Sequence, residues 1–175
     1  HAVDDVVIPI DWIHAAVQID LEPVGFTVAG LDVARTLDDM ALSVRTGPVV
    51  RFVGAMEGTG MKARARAAGA RTARLAARAC CYDKSGLKAG YVADIESGLQ
   101  SEAEILTVGS AATSKACKFT RLKDAPEERC FDRFYNRKAM QWGIMRLAFR
   151  CTYERMAGLA DHPDEDCISI PDDHR

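Results

Sequence analysis

Asp32 and Asp83 are the residues whose types and surroundings point most directly to chemistry. Each closes a short apolar run, Ala29-Gly30-Leu31-Asp32 and Cys80-Cys81-Tyr82-Asp83. Functional groups collect where strands end, because the strands hold them rigidly while the following loops leave them open. If the two runs are neighbours in one sheet, the carboxylates stand side by side. At ~4 Å and an effective dielectric near 20 they repel by about 4 kcal/mol, which a bound proton or cation must offset. Mg²⁺ or Mn²⁺ suits an all-oxygen site with few protein ligands and several waters. Two such ions, about 3.5 to 4 Å apart, activate a water and stabilise the leaving oxygen in phosphodiester hydrolysis, with no protein nucleophile. Asp38, in the segment after Asp32, is a further candidate ligand. Singly, each acid has a plainer reading: Asp32 as a turn residue, Asp83 as a turn or cap before Ser85-Gly86, Asp38-Asp39 as a solvated turn. Their pairing is what favours metal.

Other catalytic constellations are missing. His1, His14, His162 and His174 are scattered near the two ends, far in sequence from any nucleophile at a plausible turn, so no triad is visible. The six cysteines include no C-x-x-C pair, and Cys80 and Cys81 are adjacent, so they read as reduced thiols rather than a disulfide framework or a zinc site. Gly58-Thr59-Gly60-Met61-Lys62 has the wrong spacing for a phosphate-binding loop, which excludes a P-loop ATPase.

The bulk properties bound the class. A chain of 175 residues, 48% hydrophobic and 27% charged, is a globular protein able to bury a core without staples. No apolar run approaches the ~20 residues of a membrane span, and the first residues are unlike a signal peptide, so a cytosolic protein with no membrane contact is expected. A formal charge of −2 argues against a freestanding, tightly binding nucleic-acid module. The charge is uneven, however. Lys62, Arg64, Arg66, Arg71, Arg74 and Arg78 crowd one segment, while Asp161 to Asp173 is acidic. Spacing alone makes the arginine-rich stretch a solvated helix surface.

The elements that must position the acids follow from local pattern. A short helix begins near Trp12, with Asp11 as its expected N-cap. Phe26 to Ala34 suits a strand buried on both faces. Met40 to Thr46 and Val49 to Ala55 are strand-like runs around Gly47-Pro48, hence an antiparallel hairpin. Met61 to Ala79 is rich in helix formers, with Gly69 as its weak point. Cys80 to Asp83 reads as a strand, Leu87 to Ser97 as a helix, Glu104 to Val108 as a strand and Ser110 to Glu128 as a loop. Phe131 to Met156 reads as one long helix, whose large residues exceed a single stripe. The order predicts an α/β, ribonuclease-H-like fold: a mixed β-sheet flanked by α-helices. The expected organisation is an N-terminal helical arm over 1–25, the main domain over 26–158 and an acidic C-terminal segment over 159–175.

The sequence resembles the nuclease domain of the large terminase subunit of tailed bacteriophages. Ala29-Gly30-Leu31-Asp32-Val33-Ala34 resembles that family's first acidic strand, with Asp38 to Leu42 in its continuation. Tyr82-Asp83-Lys84-Ser85-Gly86-Leu87-Lys88-Ala89-Gly90 is similar to its second acidic strand and turn, although Lys88 stands where a glycine is expected. Asn136, Lys138, Ala139, Gln141, Trp142, Arg146, Phe149, Thr152 and Tyr153 resemble its long helix, and Ile168-Ser169-Ile170-Pro171 the segment after it.

The resemblance implies an endonuclease domain that cuts concatemeric double-stranded phage DNA during packaging, with two Mg²⁺ or Mn²⁺ ions on Asp32 and Asp83 and Asp38 assisting. Lys88 and Lys138 are the expected contacts to the DNA backbone. The implied partners are an upstream terminase ATPase domain, the portal protein and the small terminase subunit, and the implied place is the host cytoplasm at the procapsid portal. The family's third carboxylate lies beyond Ile168-Ser169-Ile170, so the expected site is incomplete at the C-terminal end. The alternatives are a noncatalytic docking module of the packaging motor, or another ribonuclease-H-like nuclease of the transposase or resolvase type.

Overall fold

A computed structural model describes residues 8–33, 39–102, 104–111, 114–117 and 124–172. Asp38 lies outside the described residues. By their contacts the residues form two compact units, His1–Asp20 with Ala111–Ser169, and Leu21–Ser110 with Ile170–Arg175.

The second unit holds both strand-end acids. Its strands are β1 (Thr27–Asp32), β2 (Ala41–Thr46), β3 (Val49–Ala55), β4 (Ala79–Asp83) and β5 (Leu106–Ser110). They form one mixed sheet in the order β3-β2-β1-β4-β5, antiparallel through the hairpin and parallel from β1 to β5. The hairpin turns where Gly47-Pro48 predicts it, with Gly47 at φ +53. A side chain there would meet the Val24 carbonyl oxygen at 1.9 Å, so the position demands glycine for space as well as conformation.

Two helices, α2 (Met61–Arg74) and α3 (Ala89–Leu99), pack on one face of this sheet. The core joins Ala29, Leu31, Leu42, Val44, Cys80 and Tyr82 from the strands to Ala68, Ile95 and Leu99 from the helices. Alternate strand residues therefore enter the core, as the period-two geometry of a strand requires. The expectation that β1 is buried on both faces is thus corrected: Ala29 and Leu31 are buried, Val28 and Gly30 are partly exposed and Asp32 is exposed.

Gly69 does not interrupt α2. It lies where the helix meets α3, and a Cβ there would sit 2.5 Å from the Leu99 carbonyl oxygen. Gly98 answers from α3, where a Cβ would lie 2.6 Å from that of Ala65. The helix does end earlier than composition suggests. Leu75 is its C-cap and Ala76 takes φ +55, a left-handed conformation that turns the chain toward β4.

In the other unit, α1 (Ile10–Gln18) packs against the long α5 (Arg137–Met156), with Trp12 stacked on Tyr153 at 6.3 Å and the Arg146 guanidinium 5.1 Å from the Trp12 ring centre. Asp11 is a first-turn residue of α1 rather than its cap, a place held by Pro9, whose fixed φ suits entry to a helix. The predicted single helix from Phe131 is also corrected. A short α4 (Cys130–Arg133) is separated from α5 because Asn136 takes an extended backbone and accepts the Ala139 N–H at 2.8 Å, which starts a new helix. The Ile168-Ser169 stretch is strapped down by hydrogen bonds: Thr152 Oγ1 accepts the Ile168 N–H at 2.8 Å, and Ser169 Oγ donates to the Ile19 carbonyl at 3.1 Å.

Candidate metal centre

β1 and β4 are hydrogen-bonded parallel neighbours, in register from Val28 with Ala79 to Leu31 with Tyr82. One residue further, the strands end in Asp32 and Asp83. Adjacent strands lie about 4.8 Å apart, and residues level with one another in a parallel pair project to the same side. Leu31 and Tyr82 enter the core, so the next residues turn to the opposite face, where both acids are exposed. The crossover through α2 brings together two acids that are 51 positions apart (83 − 32).

Each carboxylate is held by different neighbours. Asp32 is level with Ala41 of β2, a small residue. Asp83 Oδ1 accepts the Ser85 N–H at 2.9 Å, the turn geometry expected of an aspartate before Ser-Gly. That bond orients the carboxylate without exhausting its acceptor capacity. The turn reading and the ligand reading of Asp83 are therefore compatible.

The face also carries groups that the sequence pattern did not single out. Cys81 is exposed, two residues before Asp83 and level with Gly30, which has no side chain to cover it. Period-two counting back from Asp83 would have identified it. Its neighbour Cys80 points into the core, where burial first and Cys81 second push its thiol up to about 12. All six cysteines are thiols. At pH 8 the Cys80 thiolate fraction is on the order of 10⁻⁴, and the thiolate is the reactive form. Iodoacetamide should therefore modify Cys81 in the folded chain and Cys80 only after denaturation, read by peptide mass spectrometry. Equal labelling of both in the folded state would contradict the alternation that places Asp83.

Behind the acids, Tyr82 fixes β4 on the helix side. Its hydroxyl donates to Glu96 Oε1 at 2.7 Å, and burial, reinforced by this carboxylate, raises its pKa. A Cβ on Gly109 would sit 2.8 Å from the Tyr82 hydroxyl, so glycine on β5 makes room for the ring.

The donor set fits a hydrated hard cation. Two exposed carboxylates on adjacent strand ends offer oxygen ligands and leave space for water, the environment Mg²⁺ and Mn²⁺ accept. Among the described residues no group of three or more His, Cys, Asp or Glu side chains converges. Of the candidate cations, Lys88 is exposed at the N-cap of α3, in the same unit as the acids. Lys138 is exposed in the first turn of α5, in the other unit.

No protein-family model matches this sequence, and no curated protein matches it. Solved structures do. The chain is similar to the nuclease domain of the large terminase subunit gp2 of bacterial virus Sf6, at 18% identity and a TM-score of 0.80, over 95% of this chain and 74% of that one. A mutant of that domain with manganese matches at 17% identity and TM-score 0.80, over 95% and 73%. A mutant with calcium matches at 18% and 0.78, over 95% and 74%. At such identities the likeness speaks for architecture. The chain has the ribonuclease-H-like fold of a phage large-terminase nuclease domain.

Proposed function

We propose that this chain is a divalent-metal-dependent DNA endonuclease domain of a phage packaging motor. The observation that carries the reading is the ending of β1 and β4, hydrogen-bonded parallel neighbours, in Asp32 and Asp83, within a fold shared with a terminase nuclease domain. The manganese and calcium complexes of that neighbour support a divalent cation as cofactor. Asp32 and Asp83 are its proposed ligands, Asp38 assists, and two Mg²⁺ or Mn²⁺ ions are the expected complement. When bound, such ions supply a water nucleophile and charge for the leaving oxygen. The chain's own task is to hold the acids rigid: the β1–β4 hydrogen bonds fix their spacing and the Ser85 N–H fixes the rotation of Asp83.

Lys88 and Lys138 are proposed to meet the phosphate backbone of double-stranded DNA. The wider setting is concatemer cutting at the portal in the host cytoplasm, with an upstream ATPase domain and the small terminase subunit.

The direct test is plasmid cleavage with Mn²⁺ or Mg²⁺, followed on gels. Supercoiled plasmid should be converted to nicked and linear forms with metal, and chelation should stop the conversion. Calorimetric binding of Mn²⁺ without turnover would instead favour a noncatalytic docking module.

A further inference from the structure

Between Glu57 and Asp83 the sequence has no acidic residue, yet it carries Lys62, Arg64, Arg66, Arg71, Arg74 and Arg78, in a chain whose formal charge is −2. Cations one helical turn apart, such as Lys62 and Arg66, destabilise a helix. α2 carries this concentration of charge with no acid of its own.

The helix divides its cations between two flanks. Its core line is Ala65, Ala68, Gly69 and Thr72. On the α3 side, Arg66 Nε donates to Glu102 Oε1 at 2.7 Å, an ion pair that offsets one of that flank's cations. On the other side Arg64, Arg71 and Arg74, seven and three positions apart, form a single row.

The row is built against β3 and the start of β1. Arg64 Nε donates to the Gly58 carbonyl at 3.1 Å. The Arg71 guanidinium lies 4.6 Å from the ring centre of Phe52 on β3, and beyond the helix that of Arg78 lies 4.8 Å from the ring centre of Phe26. Stacking engages a guanidinium face and leaves its charge and edge donors for an acceptor in its plane. Arg74 is exposed.

The row also has a direction. β3 ends at Ala55, the partner of Ala41, which is the partner of Asp32, and α2 begins at Met61. Arg64 therefore lies toward the end of the sheet that bears the acids. Arg78 lies at the other end, where its N–H donates to the carbonyl of Thr27, the first residue of β1. A helix of 14 residues spans ~21 Å, about six base-pair steps of ~3.4 Å. Asp32 and Asp83 project from the sheet face opposite α2.

We infer that Arg64, Arg71, Arg74 and Arg78 form a second DNA surface, a track for the phosphate backbone of duplex DNA running along the helix side of the sheet, separate from the cleavage site. The inference rests on the reading of duplex DNA as substrate. Guanidinium forks match phosphate oxygens in bidentate fashion and read no bases, so the track is sequence-independent and strongly sensitive to salt. It grips duplex DNA on the helix side of the sheet, away from the phosphate that the acids meet.

The test uses the whole chain, a fluorescent duplex of about 30 base pairs, and EDTA to prevent cutting, with anisotropy measured between roughly 50 and 200 mM salt. In the Arg71→Gln, Arg74→Gln, Arg78→Gln triple variant, affinity should fall about tenfold or more. The slope of log K against log salt should lose about 0.9 per lost phosphate contact, near 2.7 in all. Arg74→Gln alone guards against misfolding: it should lower the slope by about 0.9 with an unchanged melting temperature. Unchanged affinity and slope in both variants would overturn the track.

The two readings fail separately. Parent protein that binds through the arginines but cleaves plasmid with neither Mn²⁺ nor Mg²⁺ removes the nuclease and leaves the track. Cleavage with binding indifferent to all three substitutions removes the track and leaves the nuclease.

Discussion

Asp32→Asn should lower metal-dependent plasmid cleavage by close to three orders of magnitude while leaving the chain folded. The substitution keeps shape and hydrogen-bonding capacity but removes the charge that holds a hard cation. Several kcal/mol of transition-state stabilisation from the metal, taken as ~4, is nearly a factor of 10³ in rate. Stability should hold or rise, because Asp32 is exposed and its loss relieves repulsion from Asp83 on the neighbouring strand. Asp83→Asn should have a similar effect on cleavage. The double variant should be little worse than either single one, since groups that act as a unit are strongly non-additive. The measurements are initial cleavage rates with Mn²⁺ and thermal melts of each variant. Cleavage by Asp32→Asn at the parental rate would remove the metal assignment from this pair.

Gly69→Val should destabilise the chain by about 4 kcal/mol, enough to unfold a marginal domain. Two effects oppose one another. Replacing a mid-helix glycine gains up to about 1 kcal/mol from backbone entropy. Against this, the new Cβ would lie 2.5 Å from the Leu99 carbonyl oxygen and 3.0 Å from its Cα and carbonyl carbon. Those are backbone atoms, which cannot swing aside as a flexible side chain would, so α2 and α3 must separate. Overpacking of one methylene typically costs 1 to 3 kcal/mol, and valine adds a branched bulk beyond the Cβ. Steric cost wins. Gly90→Ala supplies the contrast: it also lies in a helix but has nothing within 4 Å of its would-be Cβ, so substitution there should stabilise by roughly 0.5 to 1 kcal/mol. Urea titrations of the pair give both signs. Equal effects at the two positions would mean that the α2–α3 approach does not depend on Gly69.

The outcome at Gly69 illustrates what local pattern does not contain. Composition marks it only as a weak point in a helix, whereas the close approach of α3 makes it a packing requirement. Asn136 is a complementary case. The apolar residues around it support continuous helix on pattern alone, but an extended backbone and the bond to the Ala139 N–H divide α4 from α5. In both, a specific contact outweighs a helix propensity of at most about 1 kcal/mol per residue.

By itself the sequence determined what short-range physics controls: the strands, through β-branched and apolar runs bounded by turn residues; the hairpin, through Gly47-Pro48; and the existence of strand-end acids at Asp32 and Asp83. Their element order was also enough to predict a ribonuclease-H-like sheet. Only tertiary structure decided which strands are neighbours, which face Asp32, Asp83 and Cys81 share, and that Arg66 of α2 meets Glu102 just after α3. The reason is that strand pairing and helix docking are selected by burial and steric fit between segments dozens of residues apart. Alternation along one strand says that successive residues face opposite ways, but the core it packs against decides which way is in.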